Sequence, residues 1–133
     1  MNLQVLLVDD DKMILFIHKI LINNSIIQSQ PLTFTSGREV FTYLKNDYNK
    51  KTSYLIMLDL NMPEMNGWEF LENMTNGKAL DNVFVVIVTS SINSEDKRRA
   101  FSFPRVIDYI EKPLSGNWCD KLFEKLKREI PLD

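Results

Sequence analysis

A chain of 133 residues, 44% hydrophobic and 26% charged, has the size and balance of one water-soluble domain with a substantial core, not of a disordered or bilayer-embedded chain. Sixteen Lys and Arg against eighteen Asp and Glu leave a formal charge of -2, which disfavours direct nucleic-acid binding. No apolar stretch approaches membrane-spanning length, the N-terminus runs straight into a strand, and the single Cys119 cannot form an internal disulfide; a cytoplasmic protein with no membrane partner is expected.

Leu3 to Val8 is a nearly continuous apolar run that reads as a central parallel strand, ending in Asp9-Asp10-Asp11. Met13, Ile14, Ile17, Ile20 and Leu21 then recur at helical spacing and predict a first helix from Lys12 to Asn23, with an Asp suited to cap it. Leu32 to Thr35 reads as a second strand, and Gly37 to Tyr48, with Val40, Phe41 and Leu44 on one face, as a second helix. Asn46 to Ser53 is then a polar surface loop.

Tyr54 to Leu58 predicts a third strand that stops abruptly at Asp59, with Pro63 and Gly67 as turn punctuation. A third helix is expected from Asn66 to about Met74, with Gly77 helping to end it. Val83 to Val88 is the most β-prone run and hands over to Thr89-Ser90-Ser91. Ser94 to Phe101 reads as a charged, mostly solvated fourth helix, and Val106 to Ile110 as a fifth strand before Glu111-Lys112-Pro113. Trp118, Leu122, Leu126 and Ile130 give a last amphipathic helix. Five strands alternating with five helices imply an α/β sandwich, a parallel sheet covered on both faces with right-handed crossovers. In such a sheet, ligands gather beyond the carboxyl ends of the strands, where Asp9, Asp10, Asp59, Thr89 and Lys112 collect.

Val8-Asp9-Asp10, Asp59 with Pro63 and Gly67, Thr89-Ser90, and Tyr109 with Lys112-Pro113 stand in order, each at a predicted strand end, and together resemble the receiver domain of two-component response regulators. The resemblance runs from Leu3 to about Glu129. It implies the flavodoxin-like (βα)5 fold with strand order 2-1-3-4-5, and a stand-alone, chemotaxis-regulator-like receiver over residues 1–133 with no output domain. It also implies that Asp59 accepts a phosphoryl group from a sensor histidine kinase or histidine phosphotransfer protein. Asp10 and Asp59 would ligate Mg²⁺ directly, Asn61 through its backbone carbonyl and Asp9 through water, because crowded carboxylates repel one another and oxygen-only donors suit that ion. Lys112 would supply positive charge to the phosphoryl group, and the Lys112-Pro113 bond would be cis. Thr89 would bond the new phosphoryl oxygens, and Tyr109 would move inward as it does so, repacking a face that binds a separate downstream protein.

Asp11 reads as a helix cap, and His18, placed on the first helix far from the acidic edge, as structural. The chain departs from many receivers at Phe103-Pro104-Arg105, where a Gly- or Ala-rich turn is usual, so displacement of the fourth helix and its loop is expected. Two other functions compete. An aspartate-nucleophile phosphatase of haloacid dehalogenase type would use Asp-x-Asp, but Asp59-Leu60-Asn61 puts an amide at the second position. An FMN carrier would need phosphate donors after the first strand, where this chain offers three acids. The expected role is a phosphoacceptor that assists its own phosphorylation and dephosphorylation, not an enzyme acting on outside substrates.

Overall fold

The computed structural model describes residues 2–25, 27, 30–62, 64–76, 81–91 and 93–129. Pro63, Gly77, Ile130 and Asp133 therefore lie outside the described residues. The elements alternate as β1 (Asn2–Val8), α1 (Lys12–Asn23), β2 (Leu32–Phe34), α2 (Gly37–Asp47), β3 (Thr52–Leu58), α3 (Gly67–Asn76), β4 (Val83–Thr89), α4 (Ser94–Phe101), β5 (Val106–Glu111) and α5 (Gly116–Glu129). All strand pairs are parallel, in the order β2-β1-β3-β4-β5.

The near-continuous apolar runs follow from burial of both sheet faces. Successive strand side chains point to opposite sides. Leu6, Val8, Ile56, Leu58, Val85 and Ile87 therefore join one cluster, with Val40, Leu44, Phe70, Leu71 and Ala100 of α2, α3 and α4. Val5, Leu7, Leu55, Met57, Val86 and Val88 join the other, with Leu15 and Ile22 of α1 and Cys119, Leu122 and Leu126 of α5. Each fully buried Leu or Ile contributes roughly 1.5–3 kcal/mol of transfer free energy.

Helix starts are set by caps that the sequence carries. The Asp11 carboxylate accepts from the Met13 and Ile14 N–H groups at 2.9 and 3.3 Å. Before α2, Ser36 accepts from the Glu39 N–H, while the Glu39 carboxylate accepts from the Thr35 N–H at 2.9 Å. Thr35 is drawn into this cap, so β2 ends at Phe34, one residue before its expected end. Asn66 and Glu69 cap α3 in the same reciprocal way, at 2.9 and 3.1 Å.

Three expectations are corrected. The loop after α2 covers only 48–51, because α2 keeps Asn46 and Asp47 while Thr52 and Ser53 pair with Asn2 and Leu3 as the start of β3. The buried face of α1 is rotated from the row its periodicity suggested: Leu15, His18 and Ile22 are buried, Ile14 and Leu21 of the expected row are half-buried, and Met13 (66% exposed), Ile17 (38%) and Ile20 (44%) face outward with Phe16 (61%). Both sides of this helix are apolar, so period alone does not choose between them. Third, His18 is not remote from the acidic edge. The loop between β5 and α5 folds over α1, and His18 Nε2 accepts from the Leu114 N–H at 3.3 Å.

As expected, α4 is largely solvated, with Ala100 its one buried residue. The Phe103-Pro104-Arg105 turn is tied down by side chains. Phe103 stacks on Trp68 of α3 at 6.3 Å between centroids, and the Arg99 guanidinium lies 4.2 Å over the same indole. Arg105 donates to the Asp81 carbonyl and carboxylate, both at 3.1 Å. Just beyond the turn the register of β5 slips: Val85 faces Val106, but Val86 faces Asp108.

Candidate functional site

The last rungs of the sheet position the site. The Asp9 N–H donates to the Phe34 carbonyl (3.1 Å), the Asp59 N–H to that of Val8 (3.0 Å), and the Lys112 N–H to that of Thr89 (2.8 Å). Three chemically active side chains thus hang from backbone still locked in the ladder. Gly67 completes the frame. Its N–H donates to the Leu60 carbonyl at 3.0 Å, and a Cβ there would stand 2.6 Å from the Asp59 carbonyl oxygen. Only Gly lets α3 start this close beneath the Asp59 loop.

One carboxylate oxygen from each of Asp9, Asp10 and Asp59 lies within 4.8 Å of the others. Asp9 and Asp59 are buried and Asp10 is exposed. The Lys112 ammonium bridges the buried pair, 2.7 Å from Asp9 Oδ2 and 3.3 Å from Asp59 Oδ1. The other Asp9 oxygen accepts from the Asp11 N–H at 2.9 Å. The Asn61 N–H approaches Asp59 Oδ1 at 3.4 Å, which brings the Asn61 backbone to the pocket. The Lys112-Pro113 bond is cis.

One ammonium does not offset this much negative charge. Burial and the charge of Asp9 push the Asp59 carboxyl up to about 6, against the opposing pull of Lys112 and the Asn61 N–H. Burial alone would lower the Lys112 pKa, but its hydrogen bond to Asp9 and the charges of Asp59 and Asp9 outweigh it and raise it. The ammonium stays charged at neutral pH. The oxygen-only donor set and the uncompensated charge fit a hard divalent cation.

Thr89 is fully buried, and its Oγ1 accepts from the Ser91 N–H at 3.2 Å. Tyr109 sits opposite Ile87 on the neighbouring strand, and its hydroxyl reaches past the strand end to donate to the Ser91 carbonyl at 3.1 Å. The Tyr109 ring already packs against the core beneath α4. Ser91, which sequence reading did not single out, joins the two. Its own hydroxyl donates to Asp96 of α4 at 3.0 Å. The same hydroxyl accepts from the Asn93 N–H at 3.3 Å, and no signal in the sequence marks Ser91, because its links to Thr89 and Tyr109 run through its backbone.

The structure brings Asp9, Asp10, Asp59, Asn61, Thr89 and Lys112 to one edge, with Tyr109 reaching it through Ser91. A family model described as the response regulator receiver domain matches residues 5–125. The chain is 32% identical over 96 residues to a probable methanogenesis regulatory protein, FilR2, of Methanothrix harundinacea, covering 71% of this chain and 57% of that protein. It is 31% identical over 102 residues to the sensor histidine kinase CheAY of Helicobacter pylori, covering 77% of this chain and 12% of the kinase. It thus spans little more than half of one relative and about an eighth of the other. A two-component response regulator from Cytophaga hutchinsonii superposes with a TM-score of 0.87 at 28% identity, over 96% of this chain and 98% of that one. A receiver protein from Dyadobacter fermentans superposes at 0.85 and 26% identity, over 98% and 99%. In sequence and in strand order alike, the chain belongs to the response regulator receiver family.

Proposed function

We propose that this chain is the phosphoacceptor of a cytoplasmic phosphorelay, receiving a phosphoryl group on Asp59 from a phosphohistidine of a sensor histidine kinase or histidine phosphotransfer protein. The observation that carries this reading is a buried carboxylate held at a raised pKa beside Asp9, with an ammonium 3.3 Å away and an exposed acid at the mouth. In the transfer, the P–N bond breaks as a bond forms from phosphorus to an Asp59 carboxylate oxygen, and the imidazole keeps the electron pair of the broken bond. Lys112 opposes the charge on the phosphoryl oxygens, and the Thr89 hydroxyl, released from the Ser91 N–H, bonds one of them. Asp10, Asp59 and the Asn61 carbonyl would hold Mg²⁺, which when bound neutralises charge on the acids and the phosphoryl group. Asp9 already uses one oxygen on Lys112 and the other on the Asp11 N–H, which supports an indirect, water-mediated role for it. A phosphatase of haloacid dehalogenase type is not favoured, since an amide at Asn61 has no proton to give a leaving group.

The donor must reach the mouth where α1 begins. Met13, Phe16, Ile17 and Ile20 run outward along that helix from the mouth, and we assign this apolar row to the donor. The face of α4, β5 and α5, tied to Thr89 and Tyr109 through Ser91, is assigned to the downstream protein.

The test is mass spectrometry after incubation with acetyl phosphate. Native protein gains one phosphoryl mass with Mg²⁺ and none without it, and Asp59→Asn gains none. Equal labelling of Asp59→Asn would move the acceptor elsewhere.

A further inference from the structure

His18 lies between Leu15 and Ile22 on the inner row of α1, 3% exposed, in a layer that is otherwise apolar. Its partner is the backbone N–H of Leu114, at 3.3 Å. Pro113 brings no N–H, so the chain from Lys112 to Leu114 has two backbone donors. The Lys112 N–H goes to the Thr89 carbonyl at 2.8 Å, and the Leu114 N–H goes to His18. At the far end, Ser115 accepts from the Trp118 N–H at 3.2 Å and starts α5. Between the ladder and that helix, the buried Leu114 side chain anchors the turn in the core, and His18 holds its backbone from a different element.

We propose that His18 is a positioning residue for phosphoryl transfer, holding the Leu114 backbone so that the Lys112 ammonium stands between Asp9 and Asp59. This rests on the phosphoacceptor reading above. The bond needs an unprotonated Nε2, so His18 is neutral with its proton on Nδ1. Burial and the nearby Lys112 charge hold its pKa at about 4, which keeps that form across the neutral range. Remove the acceptor, and a buried N–H in an apolar layer has no partner. The turn must then shift to satisfy it, and Lys112, two residues back, moves with it. The three acids hang from other strands and keep their places, but Asp9 and Asp59 lose part of the positive charge between them.

The full chain with His18→Leu should bind Mg²⁺ at least as tightly as the native protein does, yet be labelled by acetyl phosphate about tenfold more slowly at saturating donor. His18→Gln, whose amide oxygen reaches about as far as Nε2, should recover most of the rate. If His18→Leu does not fold, His18→Phe removes the same acceptor. In a Lys112→Ala background the His18 substitution should add no further loss, since the group it positions is gone. Equal slowing in both backgrounds, or a Gln variant as slow as Leu, overturns the proposal. A native chain that takes no label, or an Asp59→Asn chain that takes it, instead overturns the phosphoacceptor reading. The NMR signal of the Lys112 ammonium then decides the role of His18: displaced in His18→Leu and restored in His18→Gln supports it, and unmoved in His18→Leu overturns it.

Discussion

Helices α1 and α4 both begin at the edge that carries the acids, and their outward faces are opposites. On α1, Met13, Phe16, Ile17 and Ile20 are exposed although nothing in the fold covers them among the described residues. On α4, the outward side chains are mostly charged, and several are spoken for: Asp96 accepts from Ser91, and Arg99 reaches Glu72 at 3.4 Å and lies over Trp68. An exposed apolar row gains most when another molecule covers it, and its readiness does not depend on what happens at Asp59. A charged helix held by a few polar links, each worth roughly 1 kcal/mol, is a surface that a change at Thr89 can shift. On the proposed reading, one helix is there to be met and the other to respond.

The helices also differ beneath the surface, and acid titration gives the largest expected effect. His18 underlies α1, whereas α4 buries only Ala100. The His18 pKa falls from 6.5 to about 4 on folding, so stability is full above the unfolded value and is lost as pH drops from 6.5 towards 4. Asp59 runs the other way: its pKa rises from 3.8 to about 6, so metal-free protein loses stability as pH climbs through that interval. The two oppose each other, each on the order of 1–3 kcal/mol. In urea denaturation without metal, Asp59→Asn should therefore gain on the order of 1–3 kcal/mol between pH 4 and 6.5, and clearly more than the native protein over the same range. A flat profile in Asp59→Asn would remove the buried neutral His18 from the picture.

A smaller effect is expected at the apolar row. Phe16→Glu should leave stability within about 0.5 kcal/mol and labelling by acetyl phosphate unchanged, but slow transfer from a phosphorylated kinase or phosphotransfer protein by about tenfold. Slowing with both donors would locate the defect in the pocket, and slowing with neither would free α1 from donor recognition.

Ser91→Ala sharpens the other half of the contrast. It deletes the hydroxyl links to Asp96 and to the N–H of Asn93, the residue that caps α4, but keeps the backbone links to Thr89 and Tyr109. Labelling at Asp59 should persist, and the gain in downstream binding on phosphorylation should fall about threefold to tenfold, in titrations of the separate partner. Thr89→Ala should do the same from the site side. Normal responses in both variants would end the assignment of this face.

Much of the site was legible because strands buried on both faces leave uninterrupted apolar runs, and these stop where chemistry starts, at Asp9, Asp59, Thr89 and Lys112. What escaped reading is equally physical. The row Leu15, His18, Ile22 carries a polar member, which hides it from a count of apolar residues, and the partner of His18 is a backbone N–H 96 positions away. Ser53 reads as loop but is buried strand, since pairing with Leu3 satisfies the backbone whatever the side chain.

The rungs beneath Asp9, Asp59 and Lys112 bear on rewiring. Since each of these residues is held by a neighbouring strand's carbonyl, the chemistry resides in the sheet, while the outward faces of α1 and α4 hang on it like exchangeable plates. If the α1 row takes the donor as proposed, positions 13, 16, 17 and 20, all exposed, are the ones to randomise, and libraries selected against a foreign donor should redirect the input while the acceptor keeps its reactivity.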